Sequence, residues 1–298
     1  MVADFTKMRY TKTIMQPIIN LKEIPCFGVA GNFTGHLEQA GEASDFTKII
    51  ADEKNAPKAI FPTYIPGAKE NVPQFLGTFP FDSDKIIFPQ GEQKLQIEPE
   101  CALICDVTWS ENKITDLVPV LFGASNDCSI RKEGAKKISL KKNWGNSSKG
   151  LSQNLIPIDK FTRGGILDRY RIASFLVRQG EVFTYGEDSA VRDYSYIYEK
   201  LIEWSIKKLN TQQDEGPAEN IGLYLNSCTR PLKILLSIGA TRYTQFGETN
   251  FLKEGDKSVV VLYPEQKYQS QQIAQKLKDG NLKEDKEISV LSQTVFMH

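Results

Sequence analysis

The sequence lacks an excess of charge of either sign. Its 298 residues include 37 basic and 37 acidic ones, which gives a formal net charge of zero at pH 7. No basic stripe interleaved with aromatic residues is present either. Proteins whose main partner is nucleic acid usually carry such an electrostatic footprint. The composition therefore predicts that nucleic acid is not a partner.

Long apolar runs are also missing. No run approaches the roughly 20 residues that a membrane-spanning helix needs. The first eight residues lack the charged-then-apolar layout of a signal peptide. Cysteine is scarce, and five is an odd number in a chain large enough to fold without disulfides. Together these features predict a cytoplasmic protein with no membrane partner.

Cysteine offers two candidate sites, both weak. Cys101 and Cys105 share one face of an apolar strand-like run, but the second Cys/His pair that would complete a zinc site is missing. A thiol nucleophile at Cys128 would have Arg131 as its one nearby positive charge in the sequence and no base. The chemistry is better sought among the carboxylates.

Two acidic residues stand together at the start of an apolar run. Glu98 and Glu100 are two residues apart, so extended backbone points both side chains to one face. Such carboxylates repel each other, and a divalent cation is the usual way to keep the pair ionised. Asp127 follows a second apolar run, where an unpaired carboxylate would be costly, and is the natural third ligand. The alternative is a surface strand edge with solvated glutamates.

Histidine is nearly absent, because the chain contains only His36 and the terminal His298. A lone histidine is more often structural than catalytic. His36, however, lies shortly after the apolar segment 24–30 and Gly31, hence beyond a predicted strand end. Connections of this kind often carry functional groups. His36 is therefore a candidate catalytic residue.

The segments around these residues resemble the fumarylacetoacetate hydrolase superfamily. Its members carry an E-x-E metal pair, an N-D-x-S-x-R segment and a later W…G-K segment, which match 98–100, 126–131 and 144–149. An upstream N-[YF]-x-x-H segment matches 32–36, and two late family segments are echoed at 239–241 and 252–256. Each motif alone is weak, but the six segments in the same order over residues 24–262 indicate this family.

The resemblance implies an α+β architecture, the β-rich mixed fold of the fumarylacetoacetate hydrolase C-terminal-domain type. Residues 1–20 would form an N-terminal arm or edge strand, and 21–298 a single catalytic domain of this type. It further implies a homodimer and a metal-dependent enzyme. That enzyme would act on a C–C bond, or an enolisable centre, of a small 2-oxo acid or 1,3-dicarbonyl. Hydrolysis, decarboxylation, hydration and isomerisation share an enolate step there, and the sequence does not choose among them.

The resemblance also assigns roles to nine side chains. Glu98, Glu100 and Asp127 would hold Mg²⁺, with Mn²⁺ or Ca²⁺ as substitutes. The catalytic set would be His36 as general base, Lys149 beside a developing oxyanion, and Gln39 at the position of the acid that orients the histidine. Asn32, Arg131 and Thr241 would bind substrate, although Arg131 is equally suited to pair with the ligand carboxylates.

Two positions depart from the family's pattern. Gln39 replaces an acid, and a glutamine can orient an imidazole but cannot stabilise imidazolium as a carboxylate does. Thr63 stands where the family has a lysine that binds an oxo acid, and a hydroxyl cannot replace that charge. The alternative function is therefore a non-catalytic small-molecule or metal-binding protein of the same fold. In an enzyme His36 should face the three carboxylates across an open, water-filled pocket.

The remaining segments are predicted to be scaffold. Lys136, Lys137, Lys141 and Lys142 are expected on a solvated face. Apolar runs predict strands at 24–30, 86–88, 101–107, 117–124, 232–238, 258–263 and 288–296, with a turn at 110–113. A helix is expected from Asp188 or Ser189 to about Asn210, and a second one, ended by Gly280, within 265–280.

Overall fold

The computed structural model describes residues 19–47, 49, 53–132 and 134–298. Nearly all of the predicted N-terminal arm, 1–20, thus lies outside the described residues. The strands are β1 (Cys26–Ala30), β2 (Ala59–Tyr64), β3 (Phe81–Asp82), β4 (Lys85–Ile87), β5 (Leu95–Gln96), β6 (Pro99–Ser110), β7 (Lys113–Asn126), β8 (Ser129–Ile130), β9 (Lys149–Leu151), β10 (Ile156–Pro157), β11 (Tyr170–Arg178), β12 (Glu181–Ala190), β13 (Lys233–Ala240), β14 (Lys257–Pro264) and β15 (Ser289–Phe296). The α-helices are α1 (His36–Gln39), α2 (Tyr198–Thr211), α3 (Ile221–Asn226), α4 (Gln245–Thr249) and α5 (Ser270–Lys278).

Most strands belong to two sheets. The larger has eight strands, with β2, β1, β13, β6, β7, β9 and β3 adjacent in that order and β10 paired to β7. The smaller sheet has the order β12, β11, β14, β15 and β4, while β5 and β8 form a separate pair. This strand-rich architecture with few helices agrees with the predicted β-rich mixed fold.

The main apolar core lies where the two sheets pack together. Phe122 of β7 meets Tyr170 of β11 edge to face, with ring centroids 4.8 Å apart. Leu103 of the larger sheet and Leu262 and Leu291 of the smaller belong to the same buried cluster. Removing these apolar faces from water is the main force that holds the two layers together.

The β6–β7 hairpin places the acidic residues. Its turn lies at residues 111–112, as predicted, and Glu111 takes the left-handed conformation there, with φ at 53°. Pairing is antiparallel, with Pro99 opposite Asn126 and Glu100 opposite Ser125. Because antiparallel strands bring the start of one beside the end of the other, the residues before β6 and after β7 must meet.

The predicted strands at 24–30, 86–88, 101–107, 117–124, 232–238, 258–263 and 288–296 are confirmed, with small differences at their ends. The last predicted helix is confirmed as α5, and Gly280 follows it with φ at 66°. No helix among the described residues is long and apolar enough to cross a membrane.

The predicted start of the long helix is wrong. Strand β12 continues to Ala190, and α2 begins only at Tyr198. The carboxylate of Asp188 does not cap a helix, because it accepts hydrogen bonds from Arg171 at 2.9 Å and from the Tyr263 hydroxyl at 2.7 Å. Asp188 therefore connects β12 to its neighbour β11 and to the next strand of the sheet, β14.

Candidate metal centre

The ends of several strands meet at one edge of the larger sheet. The Asp127 N–H extends the β6–β7 ladder by donating to the Glu98 carbonyl at 3.0 Å. Strand β13 runs antiparallel to β6 and ends opposite Glu100. Strand β1 is parallel to β13 and so ends at the same edge, with His36 six residues beyond its last residue. The fold therefore gathers four of the predicted site residues.

The three predicted metal ligands form a compact buried cluster. One oxygen each of Glu98, Glu100 and Asp127 lies within 4.8 Å of the others. Burial, and then the charges of Asp127 and Glu98, raise the pKa of Glu100 well above its usual range. One oxygen of Glu100 accepts a hydrogen bond from the Gly239 N–H at 3.1 Å. A close-set, all-oxygen group of this kind fits a hard divalent cation such as Mg²⁺, Mn²⁺ or Ca²⁺.

Arg131 pairs with acidic side chains beside this cluster. Its Nη2 donates to Glu98 Oε1 at 2.6 Å and to the Tyr243 hydroxyl at 2.8 Å. Its Nη1 donates to Glu42 Oε1 at 2.6 Å, and its Nε to Gln96 Oε1 at 2.6 Å. Of the two roles left open by the sequence, these contacts support pairing with a ligand carboxylate.

Lys149 approaches the cluster from β9. Its Nζ lies 3.2 Å from Asp127 Oδ1, donates to the Cys128 carbonyl, and lies 5.2 Å from the Trp144 ring centroid. Burial lowers the pKa of Lys149, and the negative charge of Asp127 opposes that shift. The following residue must be small, because a Cβ at Gly150 would lie 2.4 Å from a side-chain oxygen of Gln293.

The prediction of a solvated face is wrong for Lys141 and Lys142, which are both buried, although Lys136 is exposed. Lys142 Nζ lies 2.6 Å from both Glu98 Oε2 and Asp127 Oδ2. The contact with Asp127 is ionic only, because that oxygen receives no hydrogen bond. The two lysine pairs have the same composition, so no sequence signal separates the pair 136–137, of which Lys137 is half-buried, from the buried pair 141–142.

A short turn at Ile138–Lys141 directs these lysines inward. The Ile138 N–H donates to the Pro217 carbonyl at 3.1 Å, and Ser139 Oγ donates to Glu219 Oε1 at 2.5 Å. Lys142 then passes over Phe61, with its Nζ 5.2 Å from the ring centroid. These two hydrogen bonds at the start of the turn and the contact with Phe61 hold Lys142 against the acidic cluster.

His36 is buried and lines a narrow cavity with Glu98, Glu100, Phe61 and Lys142, not the open pocket expected of an enzyme. Its Nδ1 lies 2.9 Å from the Thr241 carbonyl oxygen. A carbonyl can only accept, so Nδ1 must carry the proton and Nε2 keeps its lone pair. Burial lowers the pKa of His36, and the negative charge of Glu98 works against that shift. The ring is therefore a neutral base near pH 7.

The other predicted residues make structural contacts. Gln39 does not bond His36, since its amide donates to the Tyr243 carbonyl at 3.1 Å and accepts from the Tyr243 N–H at 2.9 Å. Asn32, predicted to bind substrate, is buried and uses its amide on the backbone of Tyr196 and Ile238. Thr241 contributes its carbonyl to His36.

Sequence reasoning missed Glu42, whose carboxylate accepts hydrogen bonds from Arg131 at 2.6 Å and from Lys141 at 2.8 Å. Burial alone would raise the pKa of Glu42, but the charges of Arg131 and Lys141 bring it below its usual value. Thr63 Oγ1 is buried and has no hydrogen-bond partner among the described residues. The place of the family's lysine thus offers no cation here, while Lys142 supplies one from elsewhere in the chain.

Comparison with solved structures places this fold among known enzymes. A structure of 2-keto-3-deoxy-D-arabinonate dehydratase, complexed with magnesium and 2,5-dioxopentanoate, gives a TM-score of 0.53 at 16% identity. The match covers 93% of this chain and 74% of that chain. A structure of Cg1458 with inhibitor gives 0.54 at 13% identity and covers 93% and 78%.

The chain is thus a β-rich protein that shares the fold of these structures and has a buried three-carboxylate cluster. It belongs to DUF5718, a family of unknown function, whose model matches residues 42–295. Comparison with curated proteins gives no match. At these identities the likeness to solved structures is one of fold alone, and the resemblance to the fumarylacetoacetate hydrolase superfamily stays a prediction.

Proposed function

We propose that this protein is a divalent-metal-dependent enzyme that acts on a C–C bond, or an enolisable centre, of a small 2-oxo acid or 1,3-dicarbonyl. The observation that carries the proposal is the shared cavity, in which His36 lies with Glu98 and Glu100 of the three-carboxylate cluster. Support also comes from the dehydratase of the same fold, whose described complex contains magnesium and 2,5-dioxopentanoate.

In this proposal Glu98, Glu100 and Asp127 hold the metal, for which Mg²⁺ is the first choice and Mn²⁺ or Ca²⁺ are substitutes. Once bound, the cation supplies the Lewis-acid charge that favours an enolate from a chelating substrate. Carboxylate ligands leave coordination positions open for such a substrate. Which bond is broken depends on the substrate, so hydrolase, lyase and isomerase activities are all compatible with the site.

His36 acts as the general base through Nε2, which takes a proton from substrate or water. The Thr241 carbonyl fixes the tautomer and orients the ring, a task that an acid performs in the resembled family. Gln39 is a positioning residue, because its two hydrogen bonds hold the backbone of Tyr243, two residues after Thr241. Lys149 contributes positive charge beside Asp127.

The alternative is a binding protein that keeps the fold and has lost the chemistry. One observation favours it: each oxygen of Glu98 and of Asp127 lies within 3.2 Å of a protein cation. A site compensated in this way does not require a metal to remain folded. The homodimer, the cytoplasmic location and the single catalytic domain at 21–298 stay predictions.

Calorimetric titration with Mg²⁺ and Mn²⁺, with and without oxalate, tests the proposal. Oxalate mimics the enolate of pyruvate and chelates through two oxygens. Metal binding followed by metal-dependent oxalate binding is the expected result, and it justifies screening acylpyruvates and oxaloacetate. No metal binding at millimolar concentration would favour the binding-protein alternative.

Matched variants assign the ligands and the base. Asp127→Asn should abolish metal binding, whereas Asp116→Asn, on the exposed face of the same strand, should leave it unchanged. His36→Gln should keep metal and oxalate binding but lose turnover with any substrate the screen identifies. Unchanged turnover in His36→Gln would remove His36 from the mechanism.

A further inference from the structure

Lys142 differs from the other cations around the acidic cluster in what it bridges. Its ammonium lies 2.6 Å from an oxygen of Glu98 and 2.6 Å from an oxygen of Asp127, two of the three proposed metal ligands. Arg131 contacts Glu98 alone of the three, and Lys149 contacts Asp127 alone. Lys142 is thus the cation that joins two ligands across the centre.

Two of the proposed ligands are already paired with cations without a metal. Glu98 lies beside Arg131 and Lys142, Asp127 lies beside Lys142 and Lys149, and Glu100 completes the group. All six side chains are buried or nearly so. A divalent cation added to this arrangement would leave a buried excess of positive charge, which is strongly unfavourable where water cannot screen it.

Lys142 is the cation most affected, because it contacts oxygens of two proposed ligands. A Mg²⁺ ion lies about 2.1 Å from a carboxylate oxygen, and Lys142 Nζ lies 2.6 Å from an oxygen of each of two ligands. An ion bound through either of these oxygens would therefore be within about 5 Å of the ammonium. At that separation the repulsion weakens metal binding unless the ammonium moves away.

We propose that Lys142 is a tethered counter-ion of the metal-free protein, which holds Glu98 and Asp127 together and competes with the divalent cation for them. The inference rests on the proposed metal centre. It gives this residue a role in setting metal affinity: the ammonium stabilises the empty carboxylate cluster and lowers the affinity for the ion.

Lys142→Met is the direct test, because methionine fills much of the same apolar path over Phe61 without the charge. Lys141→Met is the matched control, since the neighbouring lysine is equally buried but contacts Glu42 and Asp45. In calorimetric titrations with Mn²⁺ and Mg²⁺, Lys142→Met should bind at least tenfold more tightly than the wild type. Lys141→Met should stay within about twofold of it.

Thermal unfolding gives a second readout that does not depend on activity. Without metal, Lys142→Met should have a lower Tm than the wild type, because two buried carboxylates lose their shared cation. Saturating Mn²⁺ should raise the Tm of Lys142→Met more than that of the wild type. If Lys142→Met folds only with Mn²⁺, the proposal is supported. If it folds under neither condition, Lys142→Gln replaces it, and Lys142→Arg, which keeps the charge, should bind metal no more tightly than the wild type.

The outcomes separate this inference from the proposed function. Equal metal affinity in the wild type and Lys142→Met would overturn the counter-ion role while leaving the metal centre in place. Binding by Lys142→Met but not by the wild type would support the counter-ion role and favour the binding-protein alternative for the natural chain. Binding by neither would overturn both.

Discussion

Glu219 is a buried carboxyl group whose titration should appear in the stability of the protein. Its Oε1 accepts a hydrogen bond from Ser139 Oγ, and its Oε2 has no hydrogen-bond partner among the described residues. Burial raises the pKa of Glu219 from 4.5 to about 7, although the Ser139 hydrogen bond opposes the shift. The Glu219 carboxyl group is relevant to the three-carboxylate cluster because its partner Ser139 lies on the turn that leads to Lys142.

The sign follows from the direction of the shift. The folded state keeps the Glu219 proton after the unfolded chain has lost it, so between about pH 4.5 and 7 the folded state binds more protons. The free energy of unfolding therefore falls as the pH rises through this window, and above the window the full cost of ionising Glu219 in the folded state is reached. At about 1.36 kcal/mol per pKa unit, that cost is about 3 kcal/mol.

The test compares Glu219→Gln with the wild type by urea unfolding between pH 5 and 8 in metal-free buffer. The amide of the variant does not titrate. The free energy of unfolding of the variant minus that of the wild type should therefore increase by about 2–3 kcal/mol between pH 5 and pH 8. Glu215→Gln, at an exposed position nearby, should show no such gain. A difference that stays constant with pH would refute the reasoning, since it would mean that Glu219 is already ionised in the fold at pH 5.

Three further predictions concern other buried groups. Arg131→Met leaves Glu98 and Glu42 without this partner and should lower the free energy of unfolding in urea by about 3–5 kcal/mol. The control Arg242→Met removes an exposed ion pair and should lower it by less than about 1 kcal/mol. Equal losses would contradict the stabilising role of Arg131. Asn32→Ala removes three buried hydrogen bonds and should cost about 3 kcal/mol, so a loss below about 0.5 kcal/mol would show that these bonds contribute little. A thiol reagent should modify Cys228 first, because the other four cysteines are buried. Burial also raises the pKa of Cys128 to about 12, which disfavours its reactive thiolate. Rapid reaction of Cys128 would make a thiol mechanism a candidate again.

Much of the strand framework was predictable because its signals are local. Apolar runs bounded by turn residues mark β6, β7, β13, β14 and β15. The register at the hairpin turn alone would pair Glu98 with Ser125, and two irregularities along the hairpin shift it by two residues, so that Asp127 lies beside Glu98. The sequence does not predict the β11–β12 hairpin, and it suggests Asp188 as a helix cap. The groups that donate hydrogen bonds to the Asp188 carboxylate, Arg171 and Tyr263, lie on other strands and are not evident from the neighbouring sequence.

The sequence by itself determined the acidic cluster, the strands that carry it and the position of His36 beyond a strand end. Only the tertiary structure decided the partners of these groups. The carbonyl that orients His36 lies 205 residues away, and Lys142 is 44 residues from Glu98. A pair of adjacent lysines has the same sequence whether it is solvated or buried. Which of the two occurs depends on the acceptors that tertiary packing brings close to the ammonium groups. Strand formation depends on neighbours in sequence, whereas the charge balance of a buried centre depends on neighbours in space.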